Sequence, residues 1–330
     1  MQVLVVGAGL SGAVIARELA EAGHMATVVE SRDHLAGNCH TERDPETGVM
    51  VHKYGPHIFH TDDVEVWNWV NRFARFRRYV HRVKVTARGR IYSLPVNLHT
   101  INQFFGKTMR PDEAARFIAR QRHDTVVSRP PSFEDQALCS VGRDIYETFF
   151  QGYTCKQWGR DPSRLPASVF RRLPLRFGYD DNYFNHRFQG IPEEGYTEMV
   201  ARILDHPRVT VILCTRFSRE HAGGYDHVFY SGPLDGYFSC RLGPLAYRTL
   251  DFEVSIHKGD YQGCAVMNFA DLDVPWTRVT EHKHLAPWES HESTICYREF
   301  SREAGPDDIP FYPIRLVREK ALLKEYQTLA

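Results

Sequence analysis

Gly7, Gly9 and Gly12 stand in the spacing G-x-G-x-x-G, and Glu30 follows eighteen residues after the last of them. The first glycine permits a tight turn, the second lets the backbone approach a pyrophosphate, and the third lets a helix pack closely on a sheet. The helix N-terminus then meets the phosphates with N–H groups and the positive end of its dipole. An acid placed like Glu30 accepts hydrogen bonds from a ribose diol. These four residues predict a dinucleotide site. Arg32-Asp33-His34-Leu35-Ala36-Gly37-Asn38 comes next, where a plain doubly wound domain would continue into a helix. Its Gly37 and Asn38 suggest a loop folding back over the same cofactor, with an ordinary surface turn as the other reading.

His52, His57 and His60 lie within nine residues, which raises the question of a metal. Gly55-Pro56 interrupts any helix that would align the three rings, and no thiolate or carboxylate completes the pattern, so no metal site is predicted. A loop is the better reading: Gly55 allows a flat ring to approach and His57 offers it a hydrogen bond. The sequence contains no G-x-S-x-G, H-E-x-x-H or G-x-x-x-x-G-K-[ST], so the chemistry must come from a bound cofactor. Aromatic and cationic residues cluster in the middle, in the runs 149–159, 171–176 and 179–184. Flat rings stack on a base, and guanidinium groups with tyrosine hydroxyls grip a diphosphate. A nucleotide sugar would use that combination.

Positioning these residues requires particular elements. Residues 2–6 and 26–30 are apolar runs flanking a helically spaced stretch at 11–21, giving strand, glycine turn, helix and strand. Residues 63–79 place Val66, Trp67, Val70, Phe73 and Phe76 at three- and four-residue steps, which predicts an amphipathic helix, with the basic run 75–82 as its solvated face. A hairpin is predicted over 83–94 around Arg88-Gly89, and a mostly helical stretch over 100–159. Within that stretch Pro111-Asp112-Glu113 makes a first turn and Ser132 to Asp135 a capping box with Asp in place of Glu. Short β-type runs follow at 208–214, 227–231, 249–256 and 263–269.

The 330 residues suffice for two or three domains, and 42% are apolar, enough for a sizeable core. Forty-one basic residues balance 41 acidic ones, so no overall field attracts nucleic acid. No apolar run reaches the length of a bilayer span, and no secretion signal precedes the glycine turn, which predicts a cytoplasmic protein. The seven scattered cysteines suit reduced thiols.

In order along the chain, Gly37-Asn38, H-K-Y-G-P-H-I-F-H-T at 52–61, G-Y-T-x-K-Q-W-G at 152–159 and R-L-P-L-R-F at 172–177 resemble the UDP-galactopyranose mutase family. The resemblance continues through Y-D-D-N-Y-F at 179–184, Q-G-I-P-x-x-G-Y-T at 189–197, V-F-Y-S-G-P-L-D at 228–235, Y-R-T-L-D-F at 247–252, T-R-V-T-E-H-K at 277–283 and Y-P-I-R at 312–315. It covers residues 3–329. An α/β fold is implied, with a Rossmann-like FAD-binding domain, a helical insert domain carrying a mobile loop, and an antiparallel β-sheet domain. Their expected extents are 1–80 with 195–250 and 310–330 for the first, 98–170 for the second, and 81–97 with 171–194 and 251–309 for the third.

The implied activity is a flavin-dependent isomerisation of UDP-galactopyranose to UDP-galactofuranose for cell-surface polysaccharide synthesis. In the family, reduced flavin N5 attacks the anomeric carbon and expels UDP, which agrees with the missing protein nucleophile. By resemblance, Arg172 and Arg278 bind the diphosphate, and Tyr183 and Tyr312 donate hydroxyl hydrogen bonds. Phe149, Phe150 and Tyr153 line the uridine pocket, Asn268 joins the substrate contacts, and Trp158 sits on the loop that closes over substrate. His57 lies near flavin N5, while Gly7, Gly9, Gly12, Glu30, Arg32, Gly37 and Asn38 hold FAD. Family members are commonly dimers. The family also continues beyond the Y-P-I segment with a G-R-L-x-x-Y-x-Y-x-D-M-like stretch that meets the flavin and substrate. Its absence from this sequence predicts a missing flavin wall and sheet strand. Two other readings accompany this one: a flavin oxidoreductase of the amine-oxidase-like group, and a non-catalytic protein that binds a nucleotide sugar.

Overall fold

Val3 to Val6 are buried between two neighbours, as a central parallel strand requires. In this computed structural model, strand Gln2–Val6 pairs in parallel with Met25–Val29 on one side and His227–Tyr230 on the other, and Val209–Ile212 extends the sheet beyond Met25–Val29. Helix Leu10–Glu21 connects the first two strands and buries only Gly12, Ala13, Ala16 and Ala20, small residues that let it lie close to the sheet. The structure describes residues 1–122, 130–172, 175–314 and 316–329, the side chains of 171, 172, 317 and 318 excepted.

Those residues fall into two compact units, 1–80 with 186–243 and 285–292, and 81–185 with 244–284 and 293–330. Besides its parallel sheet, the first unit holds a small sheet in which Phe188–Pro192 lies between Phe59–Thr61 and Phe76–Arg78. This pairing corrects the helix expected over 63–79. Only Val64–Val70 is helical, capped by the Asp63 carboxylate on the backbone N–H groups of Glu65 and Val66. Trp67 stacks on Phe188 with ring centroids 5.2 Å apart, and Phe76 is recruited into a strand opposite Pro192. The basic run is therefore no helix face. Arg75 and Arg77 pair with Glu193 in the first unit, and Arg82 pairs with Asp181 in the second.

In the second unit seven strands follow the order Tyr312–Pro313, Tyr247–Lys258, Ser293–Glu303, Arg278–Glu281, Val266–Phe269, Val83–Ala87 and Arg90–Leu94. The sheet is antiparallel except where Val266–Phe269 runs parallel to Val83–Ala87. The expected hairpin is present, with Arg88 and Gly89 both at positive φ, the geometry that matches strand twist in a two-residue turn. Helices Leu98–Phe105, Pro111–Gln121 and Phe133–Val141 form as expected, the last with the Ser132 hydroxyl accepting from the Asp135 backbone N–H. They do not make a separate domain. Val85 and Tyr92 of the sheet share one core with Leu98, Ile101, Ile118, Phe133 and Phe149. Residues 312–313 belong to this unit through their pairing with Tyr247 and Arg248, whereas 186–194 join the first through strand Phe188–Pro192.

Candidate functional site

The first unit carries the glycine turn. Gly7 adopts φ +100, a conformation that side chains disfavour, and a Cβ there would lie 2.3 Å from the Ser231 Oγ. At Gly12 a Cβ would meet the Gly7 carbonyl oxygen at 1.9 Å. Helix Leu10–Glu21 begins at Gly9 without a side-chain cap, so no side chain competes for its first N–H groups. The 32–38 segment folds back on this turn: Ala36 N–H donates to the Ala8 carbonyl at 2.9 Å, and Ala36 pairs with Gly9 in an isolated parallel bridge. Ala36 reaches this position at φ 72, a left-handed conformation unusual for a residue with a side chain.

Glu30 is buried, and its carboxylate accepts from the Ala8 N–H at 2.9 Å and from the Arg32 N–H at 2.9 Å. It ties the glycine turn to the returning loop; Oε1 also accepts from the Ser31 hydroxyl at 3.2 Å, and Oε2, bonded to Ala8, retains lone-pair capacity for a ligand hydroxyl. Arg32 donates to Asn38 Oδ1 at 2.8 Å and lies 4.8 Å from the Tyr54 ring centroid, while its buried Nη1 has no partner. A buried guanidinium donor left unpaired beside a glycine turn fits an anionic or carbonyl-bearing cofactor. Gly55 has φ +97 and open space where its Cβ would stand. His57 Nδ1 lies 2.8 Å from the Gly55 carbonyl, so it must carry the proton, leaving Nε2 as the acceptor. Burial pushes His57 below the usual imidazole range, outweighing that hydrogen bond, and the ring is neutral at pH 7. The three histidines do not converge. His52 Nδ1 accepts from the His57 backbone, and His60 pairs with His186 at 2.9 Å.

The second unit gathers the cationic and aromatic residues. Residues 146–151 form a π-type turn leading into helix Gly152–Trp158, which packs so closely that a Cβ on Gly152 would lie 2.2 Å from the Ala270 carbonyl. Arg278 opens strand Arg278–Glu281 and donates to the Tyr153 hydroxyl at 2.8 Å. Its Nε lies 3.3 Å from Glu299, its cross-strand partner, whose carboxylate also accepts from the Thr277 hydroxyl. Burial works against the Arg278 charge, but Glu299 together with Tyr153, Tyr312 and Tyr183 outweighs it, and the guanidinium stays protonated. Tyr312 and Tyr183 lie near enough to Arg278 to interact with it electrostatically. Tyr183 is anchored by its backbone N–H on the His81 carbonyl at 2.8 Å. His81 is itself buried, and burial with the nearby Arg278 charge pushes it down to about 4. Asn268 pairs in register with Arg278, and its buried Oδ1 has no partner, an acceptor left for a ligand N–H or O–H.

Several expected positions come out differently. Phe149 and Phe150 are core residues, with Phe149 edge-on to Tyr92 at 5.0 Å and Phe150 edge-on to Phe170 at 5.4 Å. Trp158 ends a helix instead of riding a loop, because Gly159 takes the left-handed C-cap and Arg248 donates to the carbonyls of Lys156 and Gln157. Its ring lies 6.5 Å from that of Tyr312. The side chain of Arg172 lies outside the described residues. Sequence reasoning missed Glu299, His81, Lys156 and Arg248. The signal for Glu299 was its place in a strand beside Arg278, which only the register reveals.

Residues 148–330 match the family model described as UDP-galactopyranose mutase, and residues 5–73 match one described as an NAD(P)-binding Rossmann-like domain. A probable UDP-galactopyranose mutase of Klebsiella pneumoniae is 56% identical over 99% of this chain and 85% of its own length. A dTDP-fucopyranose mutase of Escherichia coli is 50% identical over 100% of this chain and 89% of its own. A crystal structure of reduced UDP-galactopyranose mutase superposes with TM-score 0.75 at 15% identity, covering 99% of this chain and 87% of that one, which supports the fold. Among the described residues no helix is long and apolar enough to cross a membrane. The chain belongs to the UDP-galactopyranose mutase family, and it is an enzyme of the intramolecular-transferase class acting as a sugar mutase.

Proposed function

We propose that the protein interconverts UDP-galactopyranose and UDP-galactofuranose with FAD as its cofactor, in support of cell-surface polysaccharide synthesis. The observation that carries this reading is the cluster around Arg278: a charged guanidinium held by Tyr153 and Glu299, near Tyr183 and Tyr312, with the unpaired Asn268 acceptor in register beside it. A nucleotide diphosphate offers negative oxygens to Arg278 and the phenols, and a sugar hydroxyl or base N–H to Asn268. The glycine turn, Glu30, Arg32, Gly37 and Asn38 would hold the ADP half of FAD, and Gly55 and His57 would face its ring. Bound and reduced, the flavin supplies the nucleophilic nitrogen that this chain lacks.

The protein's own part is electrostatic. Negative charge grows on the diphosphate as the bond to the anomeric carbon breaks, so Arg278 interacts more strongly with the transition state than with the bound sugar nucleotide. Tyr153 and Glu299 keep the guanidinium from swinging away, since the hydrogen bond to Tyr153 and the ion pair with Glu299 are already made before substrate arrives. Arg172 is proposed as a second diphosphate contact. His57, neutral and oriented by Gly55, presents Nε2 as an acceptor for a proton on the reduced ring system.

The test is chromatographic. Dithionite-reduced, flavin-loaded protein should convert UDP-galactofuranose to UDP-galactopyranose, with dTDP-fucopyranose, the sugar nucleotide named for the E. coli relative, assayed in parallel. Turnover of the dTDP sugar alone would move the reading to that substrate. A reduced, flavin-loaded protein isomerising neither would sink it.

A further inference from the structure

Lys156 Nζ lies 2.8 Å from the carbonyl oxygens of Phe269 and Asp271, 2.9 Å from that of Val274 and 3.0 Å from that of Trp276. Four backbone carbonyls of one loop thus converge on a single ammonium, which has three N–H donors to share among them. Carbonyl dipoles pointing at a common centre repel one another unless a cation sits there, and a ring of such oxygens can replace the hydration shell of a monovalent ion. The loop they belong to joins strand Val266–Phe269, which carries Asn268, to strand Arg278–Glu281, which begins with Arg278. Phe269 N–H closes the base of that loop on the Thr277 carbonyl at 2.9 Å.

Lys156 also stands one helical turn after Tyr153, on the same face of helix Gly152–Trp158. The helix is therefore clipped to this β-hairpin twice, by Lys156 to the loop and by Tyr153 to Arg278. A third contact fixes the helix end, where Arg248 donates to the carbonyls of Lys156 and Gln157. Losing the Lys156 clip would let the loop carbonyls spread and would shift Asn268 and Arg278 relative to Tyr153.

We infer that Lys156 is a positioning residue for the Arg278, Tyr153 and Asn268 cluster, and that its carbonyl cage accepts a monovalent cation of ammonium size once the side chain is removed. No substrate contact by Lys156 is involved. The inference rests on the proposed binding of a nucleotide diphosphate by that cluster. Burial pushes the ammonium down to about 8, so it is charged at neutral pH and the cage is filled.

The test compares Lys156→Ala with the parent in sodium chloride and in ammonium chloride at equal ionic strength, well below the unfolding temperature. UDP affinity by calorimetry, kcat and KM of the reduced enzyme, and Tm are the readouts. In sodium, kcat/KM should fall about a hundredfold, the scale of a small misplacement of a catalytic contact, with a weaker affinity for UDP. Ammonium should recover much of both losses and raise Tm, whereas tetramethylammonium, too large for the cage, should do neither. Parent-like UDP affinity in sodium overturns the inference, and so does a loss that ammonium leaves untouched. If Lys156→Ala does not fold, Lys156→Met carries the measurement, because it keeps most of the length but has no N–H donor. Its UDP affinity must fall, and an unchanged affinity overturns the inference. Wild-type protein that bound no UDP would sink the mutase reading, while an ammonium-dependent Tm in the variant would still test the cage.

Discussion

The cradle around Gly7, Gly9 and Gly12 and the cluster around Arg278 are both polar sites, but they are made of different material. The cradle is backbone, shaped by residues that lack side chains and fixed by one carboxylate, Glu30, bonded to Ala8 and Arg32. The cluster is side chain, assembled from Tyr153 on a helix, Arg278 and Glu299 on neighbouring strands, and Asn268 on the strand before. A backbone site fails when an atom is added. A side-chain site fails when an atom is removed.

The largest expected effect breaks the first half of that contrast. Gly12→Ala adds a Cβ at 1.9 Å from the Gly7 carbonyl oxygen, a backbone atom of the turn that directly follows the central strand, and 3.3 Å from Val5 Cγ1. The cost should be about 4 kcal/mol or more, among the severe single substitutions, and the purified protein should be colourless with a lower Tm. A yellow Gly12→Ala protein with unchanged Tm would show that the turn is looser than these distances allow.

Arg278→Ala tests the second half. Here the fold should survive and flavin absorbance should persist, while kcat/KM falls about 10²- to 10³-fold, the range for removing one preorganised charge-stabilising donor. Steady-state assays of reduced enzyme decide it. Activity within a few-fold of the parent would remove Arg278 from the machinery and leave its ion pair with Glu299 a structural feature.

How much of each site could be read from the sequence follows from the same contrast. The cradle was legible because its contacts are local: Gly7, Gly9, Gly12, Glu30 and Gly37 span 31 consecutive residues and obey one spacing rule. The cluster was legible only by resemblance, since Tyr153 and Arg278 are 125 residues apart and nothing in their spacing announces a hydrogen bond. Glu299 and Lys156 escaped altogether. One depends on strand register, the other on carbonyls whose direction no side-chain pattern encodes. The helix expected over 63–79 failed for a related reason, because Phe76 obeys helical spacing yet gains a strand partner in Pro192.

Acid acts on the second unit through buried His81, as it acts on the first through His57. The folded value of His81, about 4, lies below the unfolded 6.5, so between these values the unfolded chain binds the proton first. Its stabilising contribution is complete above pH 6.5 and is lost as pH falls towards 4, reaching about 3 kcal/mol below that value. Urea midpoints measured across this window should fall less steeply for His81→Phe than for the parent. Parallel slopes would mean that His81 takes up its proton without strain on the fold.

The smallest effect sharpens the cradle. Ala36 sits at φ 72 because the returning loop must turn there to reach Ala8, and its methyl group makes that conformation cost about 1 kcal/mol. Ala36→Gly removes the strain but gives the unfolded chain more freedom, worth about 0.4–1 kcal/mol in the opposite direction. The two terms nearly cancel, so Tm should move by no more than about 2 °C. Flavin affinity is the sensitive readout, because a glycine at 36 leaves the loop freer to move away from Gly9. An unchanged flavin Kd means that Gly9 and Ala8 hold the loop whatever residue stands at 36. A weaker one means that the alanine, by restricting the turn, helps to keep the cradle closed.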